Sequence, residues 1–331
     1  MTKDAVLAIL KRAGTFVSGE KISQELGISR TAVNIAVKAL REEGCVIASS
    51  TNRGYCLTEA PDRLTRGDLL CWLPEERMTS VLCMDSVDST NRRLRELALD
   101  DAPDGQVLLA DEQTDGRGRR GRAFYSPAGS GIYLSMLLRP EGLPADTVSL
   151  TAWAAVAVCR AVASVCGVTP GIKWVNDLVL QKRKVCGILT EMSVESETGQ
   201  IQYVIVGIGV NVNEKKADFP KEIRTTASSL AAECGRTFSR AELAAAMIRS
   251  LDQLRADWPA KAASYLAEYR AANITAGQEI SVLSGGEPRY GTALAVNEDF
   301  SLSVRFEDGK EERLTGGEVS IREWKKAGDK G

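Results

Sequence analysis

Through the first forty residues apolar side chains recur every three or four positions, the spacing of amphipathic helices. Val6, Ile9 and Leu10 mark one helix. Ser18 caps a second that carries Ile22 and Leu26 inward, and Gly27 turns the chain. Ser29 caps a third, in which Val33, Val37 and Leu40 face a core while Arg30, Thr31, Asn34 and Lys38 are left outward. After Gly44 the period changes: residues 46–50, a turn at Thr51-Asn52-Arg53-Gly54 and residues 55–57 predict a hairpin. Two helices joined by a glycine turn and followed by a hairpin predict a winged helix-turn-helix. Its third helix would enter the major groove, and Arg53 at the wing tip would meet phosphate or the minor groove. The same small module also serves protein contacts or plain stability. Its charge is only mildly basic, so specific DNA binding would require a dimer on two half-sites.

Residues 61–80 read as a linker with a helix, opening at Pro61 and holding Leu69, Leu70 and Trp72. Beyond it element types alternate. A helix carries Leu94, Leu97 and Ala98, strands follow at 107–109 and 132–138, and a long apolar helix over 150–166 stops at Gly167. Arg160 and small residues interrupt that helix, which makes it a core helix rather than a membrane span. Strands at 172–174, 178–180, 185–194 and 201–206 are separated by turns at 181–183 and 196–199. Adjacent hairpins predict a largely antiparallel sheet, so the fold class is multidomain α/β (α+β), with no Rossmann fold. Helices over 240–255 and 259–272 close this part, and five short strands between 279 and 322 predict a small β-barrel. The expected domains are 1–62, a linker over 63–80, 81–274 and 275–325. The last is either a stabilising cap or a direct substrate contact.

Composition narrows the chemistry. The 331 residues, 44% hydrophobic, suffice for two or three cored domains, and a net charge of −2 confines any nucleic-acid contact to a local patch. There is no histidine, which excludes histidine-activated nucleophiles, histidine metal sites and histidine acid–base catalysis. The eight cysteines form no C-x-x-C pair, and the amino terminus has no signal-peptide pattern, so reduced thiols and a cytoplasmic protein without a membrane anchor are expected.

The segment Gly116-Arg117-Gly118-Arg119-Arg120-Gly121-Arg122 puts four guanidinium groups and three glycines into one loop. Glycine allows a close backbone approach, N–H groups can form a concave nest, and arginine forks grip phosphate or carboxylate, so the loop is suited to an anion. Around it, in order, lie Ser86-Val87-Asp88-Ser89-Thr90-Asn91, then Lys173-Trp174-Val175-Asn176-Asp177, then Arg183-Lys184-Val185-Cys186-Gly187-Ile188-Leu189-Thr190-Glu191, then Gly207-Ile208-Gly209-Val210-Asn211. Together these five motifs resemble biotin protein ligases, specifically the bifunctional ligase and biotin operon repressor, nearly end to end. The resemblance implies a central sheet shared with class II aminoacyl-tRNA synthetases and lipoate ligases. It also implies a carboxy-terminal SH3-like barrel, which Gly316-Gly317-Glu318-Val319-Ser320-Ile321-Arg322 would close.

The implied activity is ATP-dependent formation of biotinyl-5′-adenylate and transfer of biotin to a lysine of a biotin carboxyl-carrier protein. Biotin, ATP and Mg²⁺ would be required. A ligand-bound homodimer would bind operator DNA of biotin genes, with the adenylate as corepressor. Charge neutralisation at the α-phosphate is the main catalytic need. Lys184, just after a tight turn, is the expected charge stabiliser, with Arg119 the second catalytic residue. The family pattern implies biotin contacts from Ser89, Thr90, Asn91, Gln113, Arg117, Gly118, Arg119, Ser135 and Lys184. Hydroxyls and an amide suit the ureido group, which offers one acceptor and two donors. Arg119, Arg120, Arg122, Asn176, Asp177, Asn211 and Arg322 are assigned to ATP or its phosphates, and Asp177 to Mg²⁺. Trp174 is either core or a wall of the biotin or adenine site. Two departures stand out: Val175 replaces a usual proline and is expected to continue a strand ladder. Ala123-Phe124-Tyr125 stands where tryptophan is common, leaving Phe124 to stack on adenine. A DNA-binding regulator without ligase activity, or a lipoate ligase, are the alternatives.

Overall fold

The computed structural model describes residues 2–141, 148–283 and 287–321. The amino-terminal unit contains α1 (Thr2–Ala13), α2 (Gly19–Leu26), α3 (Arg30–Glu42) and an antiparallel hairpin of β1 (Val46–Ser50) and β2 (Gly54–Glu59). Its helix starts follow the capping rule: Ser18 Oγ accepts from the Lys21 N–H and Ser29 Oγ from the Ala32 N–H, both at 3.1 Å. Gly27 ends α2 with φ +63°. Val6, Ile9, Leu10, Ile22, Val33, Val37, Leu40 and Ile47 form a core of their own. Gly54 is obligatory, because a Cβ there would lie 2.1 Å from the Val17 carbonyl oxygen.

The segment expected as a linker with a helix carries two short helices. α4 (Arg66–Leu69) and α5 (Glu75–Met78) lay Leu64, Leu69, Leu73 and Met78 into the core of the central domain. Asp68 serves the Thr65 capping box and also pairs with Lys11 of α1. Arg77 holds Asp252 at 2.7 Å and the Gly105 carbonyl at 2.9 Å. Leu64, Leu69, Leu73 and Met78 are therefore a docking face, while Trp72 stays exposed, and this segment ties the winged unit to the rest of the chain.

The central sheet has seven strands in the order β3-β4-β5-β9-β8-β7-β6. They are β3 (Val81–Val87), β4 (Val107–Gln113), β5 (Gly131–Leu138), β6 (Gly171–Lys173), β7 (Asp177–Leu180), β8 (Arg183–Val194) and β9 (Ile201–Asn211). Only β3 and β4 run parallel, joined through α6 (Thr90–Leu99), and the antiparallel expectation holds for the rest. α7 (Val148–Cys166), α9 (Arg240–Asp257) and α10 (Ala262–Ala272) cover one face, with short α8 (Leu230–Cys234) beside them. The window 149–166 in α7 is apolar enough to cross a membrane, yet 67% of it is buried inside the protein, as a core helix requires. All eight cysteines are unpaired, and burial pushes the Cys159 thiol up to about 12.

On the other face α6 covers half of the sheet, packing Leu94 and Ala98 on Leu108, Leu137 and Ile205. Along β9 apolar residues 204, 206, 208 and 210 enter the main core, so the period of two puts Gly207 and Gly209 on the α6 face. The missing side chains leave a depression there. Val175 does not continue a ladder: it lies in the turn between β6 and β7, after a cis Trp174–Val175 peptide. Trp174 is core, its indole N–H donating to the Phe300 carbonyl at 2.8 Å.

The carboxy-terminal unit is an antiparallel sheet of β10 (Glu279–Leu283), β11 (Arg289–Val296), β12 (Leu302–Phe306), β13 (Glu311–Leu314) and β14 (Glu318–Ile321), ordered β13-β12-β11-β10-β14. Closure into the expected SH3-like barrel goes beyond these strand pairings.

Candidate active site

The depression on the α6 face becomes a cavity of about 40 Å³ lined from five separated segments. These are Ser89, Thr90 and Asn91; Gln113; the arginine loop with Phe124; Asn176 with Lys184 and residues 187–189; and residues 207–209. Ser89 occupies the N-cap position of α6 without a side-chain capping bond, and Thr90 and Asn91 enter the site on the first helical turn. Gln113, at the end of β4, accepts from the Thr90 backbone N–H at 2.9 Å and from its hydroxyl at 3.0 Å, and donates to Ser126 Oγ at 3.0 Å. Asn91 donates to Glu191 Oε2 at 2.8 Å, and Glu191 in turn holds Arg95 at 2.7 Å. Glu191 was visible in a motif but carried no assignment, because only the fold brings it across from β8 to α6.

Ser135 has no exposed surface and does not line the cavity. Its hydroxyl lies 2.8 Å from Thr90 Oγ1 and 2.6 Å from Asn91 Oδ1, behind both. The structure thus places Ser135, expected as a direct biotin contact, against two residues that line the cavity rather than on its wall. Gly207 is equally constrained, since a Cβ there would fall 2.1 Å from Asn91 Oδ1. The Phe124 ring lies over Gly209, where a Cβ would approach it to 2.4 Å, and the ring takes up space above the sheet.

Lys184 and Asp177 face one another across the β7–β8 hairpin, with Nζ 2.7 Å from Oδ1. A ladder irregularity between Leu178 and Val179 and the left-handed pair Gln181 and Lys182 in the turn set this approach. The Lys184 backbone is clamped as well, donating to the Thr226 carbonyl at 2.8 Å and accepting from the Ser228 N–H at 2.9 Å. Lys173 is a further cation here, and burial lowers its pKa beside Asp177 and Lys184. Asp177 is one carboxylate, already paired with Lys184 and close to Lys173. Among the described residues no cluster of three metal-binding groups exists, so these side chains do not fit a resident Mg²⁺.

The arginine loop is a tight excursion. Gly116 accepts from the Phe124 N–H at 2.8 Å and Gly118 donates to the Arg122 carbonyl at 2.7 Å, so part of the expected nest is used inside the loop. A Cβ on Gly116 would lie 2.5 Å from the Phe124 carbonyl oxygen. The four guanidinium groups are each tied to protein. Arg119 donates to Asn176 Oδ1 at 3.0 Å, and burial lowers its pKa. Arg117 holds Asp115 at 3.1 Å. Arg120, with φ +57°, and Arg122 turn away from the cavity: the first donates to the Leu283 carbonyl and the second pairs with Glu318, each at 2.6 Å, both on the carboxy-terminal sheet. Their placement with the phosphate residues is not what this geometry displays. Asn211 is likewise outside the lining, buried and donating to the Ser228 carbonyl at 2.8 Å. Arg322 lies outside the described residues.

On the winged unit Arg30, Thr31, Asn34 and Lys38 all lie on the exposed side of α3. Arg30 pairs with Glu20 while remaining 69% exposed, and the Tyr55 hydroxyl donates to Asn34 Oδ1. Arg53 stands in the wing turn, its guanidinium 4.1 Å from the Phe16 ring centroid. The unit thus presents a helix face and a wing tip on one small domain.

A ligase-type sheet with this cavity, joined to a winged unit, defines a class, and the comparisons agree with it. Residues 83–211 match the biotin/lipoate A/B protein ligase family and residues 2–56 match an HTH domain. The bifunctional ligase/repressor BirA of Bacillus subtilis is 34% identical over 316 residues, covering 93% of this chain and 95% of the relative. That of Escherichia coli is 29% identical, covering 96% of each. The biotin protein ligase from Aquifex aeolicus, solved in complex with biotin and ATP, superimposes with a TM-score of 0.62 at 28% identity over 73% of this chain and 98% of that one. The chain belongs to the family of bifunctional biotin protein ligase/repressors.

Proposed function

We propose that this protein activates biotin with ATP, transfers it to a lysine of a biotin carboxyl-carrier protein, and represses biotin genes in its ligand-bound form. The observation that carries the reading is the convergence in one cavity of Ser89, Thr90, Asn91 and Gln113 with Arg117, Gly118, Arg119 and Lys184. The wall combines neutral donors and acceptors with fixed cations, which suits a ureido ring joined by a chain to a carboxylate.

In the first step a biotin carboxylate oxygen attacks the α-phosphorus of ATP, which enters with its own Mg²⁺. The bond to the bridging oxygen breaks, and pyrophosphate leaves with the electron pair. Negative charge gathers on the α-phosphoryl oxygens, and the Lys184 ammonium and Arg119 guanidinium are the groups placed to stabilise it. In the second step the carrier amine attacks the acyl carbon, the acyl–oxygen bond to AMP breaks, and the amine proton passes to water. With no histidine in the chain, positioning and charge do this work rather than a histidine base. The eight unpaired thiols suit a reducing, cytoplasmic location.

For repression, Arg30, Thr31, Asn34, Lys38 and Arg53 are assigned to DNA, with two copies on a two-fold operator. The deciding experiment is ATP–pyrophosphate exchange with biotin, lipoate or no acid. Exchange with biotin alone supports the reading. Exchange with lipoate would make the protein a lipoate ligase, and no exchange would leave a regulator that only senses.

A further inference from the structure

Ile35 is 65% exposed, more than any other large apolar side chain among the described residues, although it stands in the middle of a capped and well-packed helix. On α3 the buried positions are Val33, Ala36, Val37 and Leu40. At 100° per residue the direction opposite them falls among Thr31, Ile35 and Lys38, so Ile35 lies on the outward face, not at its edge. Nothing inside the chain rewards isoleucine at this place. A β-branched residue is a poorer helix former than lysine or glutamate, and an exposed one gains no core packing.

Its surroundings supply the reason. Thr31 stands one turn before it and Lys38 one turn after, and the preceding residue, Asn34, is held through Oδ1 by the Tyr55 hydroxyl. Arg30 opens the same helix and Arg53 stands in the wing turn; both are exposed, their protein partners being an exposed glutamate and an aromatic ring. A face that is cationic at its borders, polar along its length and apolar at one point complements the major groove. There phosphates flank base edges, and the apolar group on offer is the thymine 5-methyl. Ile35 is also in the second turn of α3, within the amino-terminal part of a recognition helix that reaches base edges.

We propose that Ile35 reads a thymine methyl in each half-site, making it a specificity-determining residue of the winged unit. This rests on the DNA-binding part of the function proposed above. The contact is apolar, so it discriminates thymine from cytosine and uracil without adding to the salt dependence of binding, unlike Arg30 or Lys38.

The probe is a duplex enriched from a randomised library by the full-length protein with biotin and ATP present, re-synthesised with each thymine replaced singly by deoxyuridine. Uracil lacks only the methyl. One position per half-site is expected at which the exchange weakens wild-type binding about fourfold, the value of one buried methyl-sized group. Ile35→Ala should lose a similar factor on the thymine duplex and become indifferent to deoxyuridine at that position, while Ile35→Val keeps the preference. An unchanged circular dichroism spectrum and thermal melt show that Ile35→Ala is folded, the winged unit with its separate core included, and unchanged biotin-dependent pyrophosphate exchange shows that the ligase site is intact. Wild-type indifference to deoxyuridine everywhere, or an undiminished preference in Ile35→Ala, overturns the assignment and leaves DNA binding standing. Failure of the wild type to enrich any duplex overturns the DNA reading, and this inference with it.

Discussion

Lys184 Nζ rests 2.7 Å from Asp177 Oδ1 across the β7–β8 hairpin, and the backbone of the same lysine is bridged on both sides to residues 226–228. The ammonium is held by main chain and side chain before substrate arrives, which is what a preorganised charge stabiliser requires. Lys184→Ala is expected to keep biotin binding and to lose adenylation by on the order of 10²-fold or more. Calorimetric biotin titration alongside pyrophosphate exchange measures both, and near-normal exchange would remove Lys184 from the chemical step.

Arg119 reaches inward to Asn176, while its neighbours Arg120 and Arg122 point to the carboxy-terminal sheet. Of the two loop guanidinium groups on the cavity wall, Arg117 is paired with Asp115 and Arg119 with the neutral Asn176, so Arg119 is the one assigned to the adenylate phosphate in the function proposed above. Arg119→Gly should fold normally and release biotinyl-5′-adenylate, which then labels lysines on an added bystander protein. If turnover stays normal and only the carrier is labelled, retention of the intermediate lies elsewhere.

Behind the ligand-facing residues, Ser135 and Gly207 set where Thr90 and Asn91 stand. Gly207→Ala forces Asn91 aside and should weaken biotin binding by about tenfold or more, the cost of one displaced buried hydrogen-bonding group. Ser135→Ala should act in the same direction, although its hydroxyl does not line the cavity. Unchanged biotin affinity in both variants would show that Asn91 is not positioned from behind.

A buried charge group lies beside β4 and the start of β5. Arg240, with no exposed surface, pairs with Asp62 at 3.0 Å and Asp111 at 2.6 Å, joining the end of the winged unit to β4. Glu214 is near it and only 1% exposed; burial pushes its carboxyl up to about 7, and the Ser130 hydroxyl, backbone N–H groups and Arg240 offset part of that. Its folded pKa exceeds the ordinary 4.5, so the contribution is fully favourable below that pH and is lost as pH rises through about 7. Glu214→Gln should match the wild type near pH 5 and exceed it near pH 8 by up to about 3 kcal/mol. Urea unfolding at the two pH values tests this, and a difference independent of pH would mean that Glu214 is ionised throughout.

The ligase and the winged unit should also be coupled. Biotin plus ATP is expected to raise operator affinity, and added apo-carrier to lower it by consuming the adenylate. Gel-shift titration under the three conditions reports the coupling. Affinity that ignores both additions would separate the two activities.

The local parts of this protein were set by its sequence. Ser18, Gly27 and Ser29 bound the helices of the winged unit because capping needs only neighbours within four residues, and the motifs at 89–91, 113, 117–119 and 184 do meet in one cavity. The motif at 207–211 is legible as a motif, but that Gly207 and Gly209 face α6 and the cavity is seen only in the folded sheet. What only the tertiary structure decided depends on partners far away in the chain. Residues 61–80 become part of the core because their apolar side chains find the central domain, and Arg120 and Arg122 are drawn to a sheet some 160 or more residues further on. Ser135 and Asn211 carry hydrogen-bonding groups that could serve a ligand or a neighbour equally well. Which of these they serve depends on the neighbours the fold brings within reach: Ser135 meets Thr90 and Asn91, and Asn211 meets the Ser228 carbonyl.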